Sequence, residues 1–211
     1  MIISEEHKFI FLACPKTGSQ TLHAHLEPYG TPQSANTIHS YHLTVAGAKR
    51  TPSLMGDLRW NEFTKICFIR NPWDRYVSLV NTLNHYHKDK NLPLYAGLGG
   101  LIKSGCYEGY HQYEYLLDRE SNYTMDYVGK FENFERDVNN LFEYLKLPIP
   151  DSIAHYYDYE KNPPADNEKK ERKHYTEYYT EQWMIDAVAE REKFVIEKFS
   201  YEYGKDGDRW R

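Results

Sequence analysis

Phe9 to Cys14 is an unbroken apolar run, and it stops abruptly at Pro15-Lys16-Thr17-Gly18-Ser19-Gln20-Thr21, a stretch of small, hydroxylated and cationic residues. Few folds accommodate so sharp a change over so few positions. A short, continuously apolar run is the pattern of a strand covered on both faces. Pro15 and Gly18 end that strand, and the residues from Ser19 to Leu26 can run as a helix. A strand, a tight loop and a helix in this order aim several backbone N–H groups at one point, where the helix dipole favours negative charge. Lys16 adds a full positive charge, and Thr17, Ser19 and Thr21 add hydroxyl donors. The segment from Lys16 through Thr17, Gly18, Ser19 and Gln20 to Thr21 is therefore a candidate site for a phosphate-sized anion.

What the loop lacks narrows the chemistry. A nucleotide-hydrolysing P-loop needs G-x-x-x-x-G-K-[ST], in which the final hydroxyl binds magnesium. With Gly18 set on the second glycine, Ala13 stands at the first, Ser19 at the lysine and Gln20 at the metal-binding hydroxyl. The loop reads as one that holds a phosphate without a metal; the alternative is an ordinary strand-to-helix turn that contains Lys and Thr. A second unit, Lys65 to Leu79, repeats the strand-to-helix pattern. Asn71 is a good N-cap and Pro72 suits the first helical position. Arg70 then sits at the carboxyl end of the strand, where open α/β sheets bind ligands, and Ser78 follows about two turns into the helix. An arginine fork with a hydroxyl suits a second phosphate. A salt bridge from Arg70 to Asp74 and a packed Ser78 are the competing assignments.

These two segments resemble a known family. Pro15-Lys16-Thr17-Gly18-Ser19-Gln20-Thr21-Leu22 is similar to the loop that binds the 5′-phosphosulfate in sulfotransferases using 3′-phosphoadenosine 5′-phosphosulfate (PAPS). Arg70-Asn71-Pro72-Trp73-Asp74-Arg75-Tyr76-Val77-Ser78 resembles the 3′-phosphate-binding segment of Golgi-type carbohydrate sulfotransferases and their bacterial relatives. Val128-Gly129-Lys130-Phe131-Glu132-Asn133-Phe134 and His174-Tyr175-Thr176-Glu177-Tyr178-Tyr179 resemble the family's later strand-to-helix turn and its C-terminal segment. The resemblance runs from about residue 8 to 203. It implies an α/β, P-loop-like three-layer fold, with PAPS as co-substrate and PAP as product. It also implies a histidine base between the two phosphate segments, and a basic residue near the C-terminal segment that reaches the 3′-phosphate. Arg172, in the run Lys169, Lys170, Arg172 and Lys173, is the nearest positional match; such runs are otherwise solvated faces.

Sulfuryl transfer needs a base for the acceptor's proton and positive charge for the leaving phosphate. His42, in Ile38-His39-Ser40-Tyr41-His42-Leu43-Thr44, is the leading base, with His39 second. Lys16 is the expected stabiliser of the leaving group. The expected acceptor is the hydroxyl of a glycan or another small hydroxylated compound. A non-catalytic module binding PAP or an anionic glycan, and a small P-loop kinase, are the competing readings.

Length and charge set further bounds. At 211 residues the chain fits one domain over 1–211. A net charge of −5 argues against nucleic acid as partner and against a heavily sulfated acceptor. No stretch approaches the roughly 20 apolar residues of a membrane span, and no signal pattern opens the chain. Golgi members of the resembled family carry an N-terminal anchor, so a cytoplasmic form, or a trimmed one, is expected here. Cys14, Cys67 and Cys106 are scattered, which fits a reducing compartment. The pairs His23/His25 and His85/His87 are spaced i,i+2 on expected helices and diverge, so no metal site is expected.

Along the chain, strands are expected at 8–14, 65–70 and 125–131, and helices at 18–27, 43–50, 72–88, 110–118, 134–145 and 181–198. Residues 28–41 read as polar and irregular, the Gly-rich stretch 89–109 as a loop or lid, and the charged, Pro-containing 158–172 as an exposed loop. This alternation favours a central, mostly parallel sheet with helices on both faces. Twenty tyrosines suit a half-wet surface, where the ring packs and the hydroxyl stays solvated. Tyr86, Tyr95, Tyr107 and Tyr110, around the expected lid, are candidates for stacking on a sugar.

Overall fold

The computed structural model describes residues 1–32, 42–51, 57–89, 95–105, 111–153 and 173–205. His39, Cys106, Tyr107, Tyr110, Arg172 and the stretch 158–172 lie outside the described residues, as does the side chain of Tyr86. The chain groups into two compact units, one from Met1–Ile69 with Glu114–Lys170 and one from Arg70–Tyr113 with Glu171–Arg211.

The first unit carries the sheet. Its strands are β1 (Ile2–Ser4), β2 (Phe9–Leu12), β3 (Thr31–Pro32), β4 (Thr64–Ile69) and β5 (Tyr127–Lys130), in the order β3-β1-β2-β4-β5. β2, β4 and β5 run parallel, with Leu12 opposite Cys67 and Ile69 opposite Lys130. Every side chain from Phe9 to Cys14 is fully buried, as the apolar run requires. β1 pairs antiparallel with both of its neighbours. Neither β1 nor β3 is legible in the sequence: three residues and two residues are too short to show a period, and Thr31–Pro32 lies inside the stretch expected to be irregular. Pro32 is tolerated because β3 is an edge strand.

The same unit holds α1 (Ser19–Leu26), α2 (Val45–Ala48), α3 (Asp57–Asn61) and, later in the chain, α6 (Phe134–Tyr144). In α6, Phe134, Val138, Leu141 and Phe142 are buried at i, i+4, i+7 and i+8, which makes one apolar stripe.

The second unit is built on α4 (Pro72–Asp89), α5 (Gly97–Ser104), α7 (Gln182–Arg191) and α8 (Lys193–Phe199). Two expectations fail here. The Gly-rich stretch contains α5, because Leu98, Leu101 and Ile102 are spaced to bury one face. Gly97 and Gly105, both left-handed, delimit it. The helix expected over 181–198 is two helices, interrupted at the fully buried Glu192. Among the described residues the expected helix 110–118 reduces to a 3₁₀ turn, Gln112–Tyr115, followed by a tight reversal bridging Leu117 to Tyr123.

Part of the tyrosine excess has a structural use. Tyr175, Tyr179 and Tyr203 surround Trp73, the second residue of α4. Trp73 meets Tyr203 edge-on at 5.6 Å between centroids, and Tyr179 meets Tyr203 at 5.5 Å. The Tyr179 hydroxyl donates to the Trp73 carbonyl at 2.9 Å. Each ring contributes buried area while its hydroxyl keeps a partner.

Candidate active site

The loop after β2 has an unusual backbone. Lys16 and Gly18 both take left-handed conformations, at φ +67° and +77°. For a lysine that conformation costs roughly 1–3 kcal/mol and marks a position whose surroundings enforce it. The Thr17 side chain is fully buried, and its hydroxyl donates to the Cys14 carbonyl at 2.8 Å. Thr17 thus braces the loop with its hydroxyl. Gly18 is the N-cap of α1 and supplies no side-chain cap, and the first turn of α1 has no acidic residue. A helix start of that composition suits an exogenous anion. Ser19 and Thr21 are buried on that first turn, Gln20 is exposed and Lys16 is half-buried.

Gly18 is needed for a second reason. A Cβ at this position would come within 2.4 Å of the Phe134 ring, at the start of α6. That ring is itself held edge-on against Phe68 at 5.5 Å. Phe134 therefore forms the floor of the loop, a role its sequence does not signal beyond its being apolar.

His42 is brought to the root of this loop. Its Nδ1 lies 2.6 Å from the carbonyl oxygen of Ala13, the residue just after β2. A carbonyl only accepts, so Nδ1 carries the proton in the neutral ring and the lone pair lies on Nε2. The His42 carbonyl accepts from the Tyr115 hydroxyl at 3.0 Å. α2 begins three residues later, capped by Thr44, whose Oγ1 accepts from the Gly47 N–H at 3.3 Å.

In the second unit, Arg70 is buried, and its Nε and Nη2 donate to Asp74 Oδ2 at 2.8 and 2.6 Å. The salt bridge considered from the sequence is thus formed. The Arg70 backbone is clamped as well: its N–H donates to Gln112 Oε1 at 2.8 Å, and its carbonyl accepts from Gln112 Nε2 at 2.9 Å. Gln112 is in turn held through its own N–H by Glu192, at 3.3 and 3.2 Å to the two carboxylate oxygens. Glu192 also pairs with Arg75 Nη1 at 3.3 Å, and both side chains are essentially inaccessible. Asn71 caps α4 as expected, its Oδ1 accepting from the N–H groups of Trp73 and Asp74 at 3.1 and 3.3 Å. Ser78 is half-buried on α4, one turn beyond Asp74. Gln112 and Glu192 have no sequence signal, since they act on Arg70 and Arg75 across separations of 42 and 117 residues.

A groove of about 750 Å³ in the first unit is a different feature. Its lining includes Lys65, near the start of β4, whereas the candidate loop follows the end of β2. Its charges pair with one another, Lys65 with Asp126 at 2.7 Å and Lys49 with Asp118 at 3.5 Å. Among the described residues no group of three or more His, Cys, Asp or Glu side chains could hold a metal ion, and no helix is long and apolar enough to cross a membrane.

Comparison with known proteins bears on this arrangement. An uncharacterized protein of Archaeoglobus fulgidus is 26% identical over 96 residues, which cover 44% of this chain and 77% of the relative. No solved structure gives a significant match. The model of the Sulfotransferase family matches residues 1–202, a span that includes the loop after β2, His42 and the Arg70 segment. With a match over nearly its whole length, the chain belongs to the sulfotransferase family.

Proposed function

We propose that the protein transfers a sulfuryl group from PAPS to the hydroxyl of a glycan or another small hydroxylated compound, on a P-loop-like three-layer scaffold. The observation that carries this reading is His42 Nδ1 on the Ala13 carbonyl, which sets a proton-accepting Nε2 at the root of an anion-binding loop. A plain anion-binding module has no need of a base held there, and a P-loop kinase needs a magnesium-binding hydroxyl where this loop has Gln20.

PAPS, when bound, supplies the sulfuryl group and leaves as PAP. The loop fits such a ligand: it combines a helix start without a side-chain cap, two left-handed positions and one lysine. Backbone N–H groups from Thr17 to Thr21 and the Lys16 ammonium hold the 5′-phosphate, and Lys16 offsets the charge that grows there as the bond to sulfur breaks. The hydroxyls of Ser19 and Thr21 and the side chain of Gln20 complete the receptor. Arg70 and Ser78 hold the 3′-phosphate, with Arg172 as a further cation. His42 Nε2 takes the acceptor's proton. The net charge of −5 favours a neutral or lightly charged acceptor.

The test is transfer from PAPS labelled at sulfur to a panel of neutral and sulfated glycans and small alcohols, with and without a chelator. Labelled product from a neutral acceptor, unaffected by chelation, is the expected result. PAP binding with no transfer to any acceptor would favour a binding module instead.

A further inference from the structure

We infer that Tyr115 is a positioning residue for His42, an assignment that rests on His42 being the base proposed above. His42 is fastened at two points. Its ring is held by the Ala13 carbonyl, and its main chain by the Tyr115 hydroxyl, which donates to the His42 carbonyl at 3.0 Å. Tyr115 is fully buried, so its hydroxyl is confined to that direction by the packing of its ring.

The segment that carries Tyr115 grips α2 at its other end as well. After Tyr115 the chain reverses through the Leu117–Tyr123 bridge, and Thr124 N–H donates to the Leu116 carbonyl at 2.9 Å. The turn is locked by Asp118, whose Oδ1 accepts from the N–H groups of Glu120 and Asn122 at 3.1 and 2.9 Å. Asp118 Oδ2 lies 3.5 Å from Lys49 Nζ, at the C-terminus of α2. One short segment thus fixes both His42, ahead of α2, and Lys49, behind it. That arrangement suits a base whose nitrogen must stay within hydrogen-bond reach of a reacting hydroxyl.

Tyr115→Phe removes only the hydroxyl and keeps the buried ring. The experiment is a double-mutant cycle of Tyr115→Phe with His42→Ala, reading turnover, KM for PAPS, PAP affinity and melting temperature. Tyr115→Phe should lower turnover roughly 10- to 100-fold, the scale of a misplaced catalytic group. PAP affinity should stay within about twofold, because the anion loop is untouched. In the His42→Ala background the same change should cost nothing further. Nitrogen NMR of the His42 ring should show the Nδ1–H tautomer in the parent and a mixture in Tyr115→Phe. Parent-like turnover in Tyr115→Phe would overturn the inference while leaving His42 as base. An equal loss in both backgrounds would also overturn it, by reducing Tyr115 to a packing residue. Parent-like turnover in His42→Ala would instead remove the base assignment, and the inference with it.

Discussion

The loop after β2 and the opening of α4 are both proposed to receive a phosphate of the same donor, yet they are made from opposite materials. The first would be a backbone receptor: two left-handed residues, a helix whose first turn carries no acidic residue, and one half-buried lysine. The second is a side-chain receptor, in which Arg70 is already paired to Asp74 and clamped through Gln112 to the buried Glu192. A backbone receptor is organised by chain geometry and is broken by adding atoms. A side-chain receptor is organised by countercharges and is broken by removing them. The contrast also suggests a division of labour. The region proposed to stabilise charge developing during reaction opens a helix whose first turn has no acidic residue, while the region proposed to anchor a constant charge holds its arginine in an ion pair.

The largest expected effect falls on the first region. His42→Ala should lose roughly 10²–10⁴-fold in turnover with PAP affinity nearly unchanged, as measured by labelled transfer alongside calorimetry. Equal losses in both would point to a folding defect. In the second region, Glu192→Ala leaves the Arg75 guanidinium buried without its carboxylate, and stability should fall by roughly 3–5 kcal/mol in denaturant titration. A loss below about 1 kcal/mol would mean the network is not what holds Gln112 and Arg70, because exposed pairs contribute about that much. Gly18→Ala is the matching test of the backbone receptor. A Cβ 2.4 Å from the Phe134 ring, at φ +77°, combines a left-handed cost of about 1–2 kcal/mol with overpacking of about 1–3. Both melting temperature and PAP affinity should drop. Gly18→Ala combined with Phe134→Leu should recover part of the loss if the ring contact matters.

The smallest effect is a pH dependence. Burial pushes the Tyr175 hydroxyl up to about 12, opposed by hydrogen bonds from Gly204 and Asn71. Burial, with Glu192 adding to it, raises Tyr76 to about 12 as well. Groups raised in the folded state hold their protons longer than the unfolded chain does. Their stabilisation is whole below about pH 10 and is lost as pH rises through 12. Melting curves from pH 9 to 12 should show that decline, and Tyr175→Phe should make it shallower.

Legibility in the sequence follows the same division. The loop after β2, its strand and the cap of α4 depend on contiguous residues, so Phe9–Cys14, Gly18 and Asn71 announce themselves. β1 and β3 do not, because so few residues carry no period. α5 was hidden by its glycines: Gly99 and Gly100 depress helix propensity, yet the spacing of Leu98, Leu101 and Ile102, with Trp183 close against Gly99, settles the helix. Glu192 reads as one more polar residue in a helical pattern, and only the arrival of Arg75 and the Gln112 N–H explains why the helix breaks there. Tyr115 is one of twenty tyrosines until the fold brings its hydroxyl to His42.

One measurement tests most directly the claim that two differently built receptors serve one donor. Calorimetric titration of PAP and of 5′-AMP, which lacks the 3′-phosphate, into the parent and into Arg70→Ala separates the two receptors within a single ligand. The parent should prefer PAP strongly, and Arg70→Ala should weaken PAP by roughly 2–4 kcal/mol, while 5′-AMP should bind both proteins alike. An undiminished preference for PAP in Arg70→Ala, or no preference in the parent, would contradict that claim.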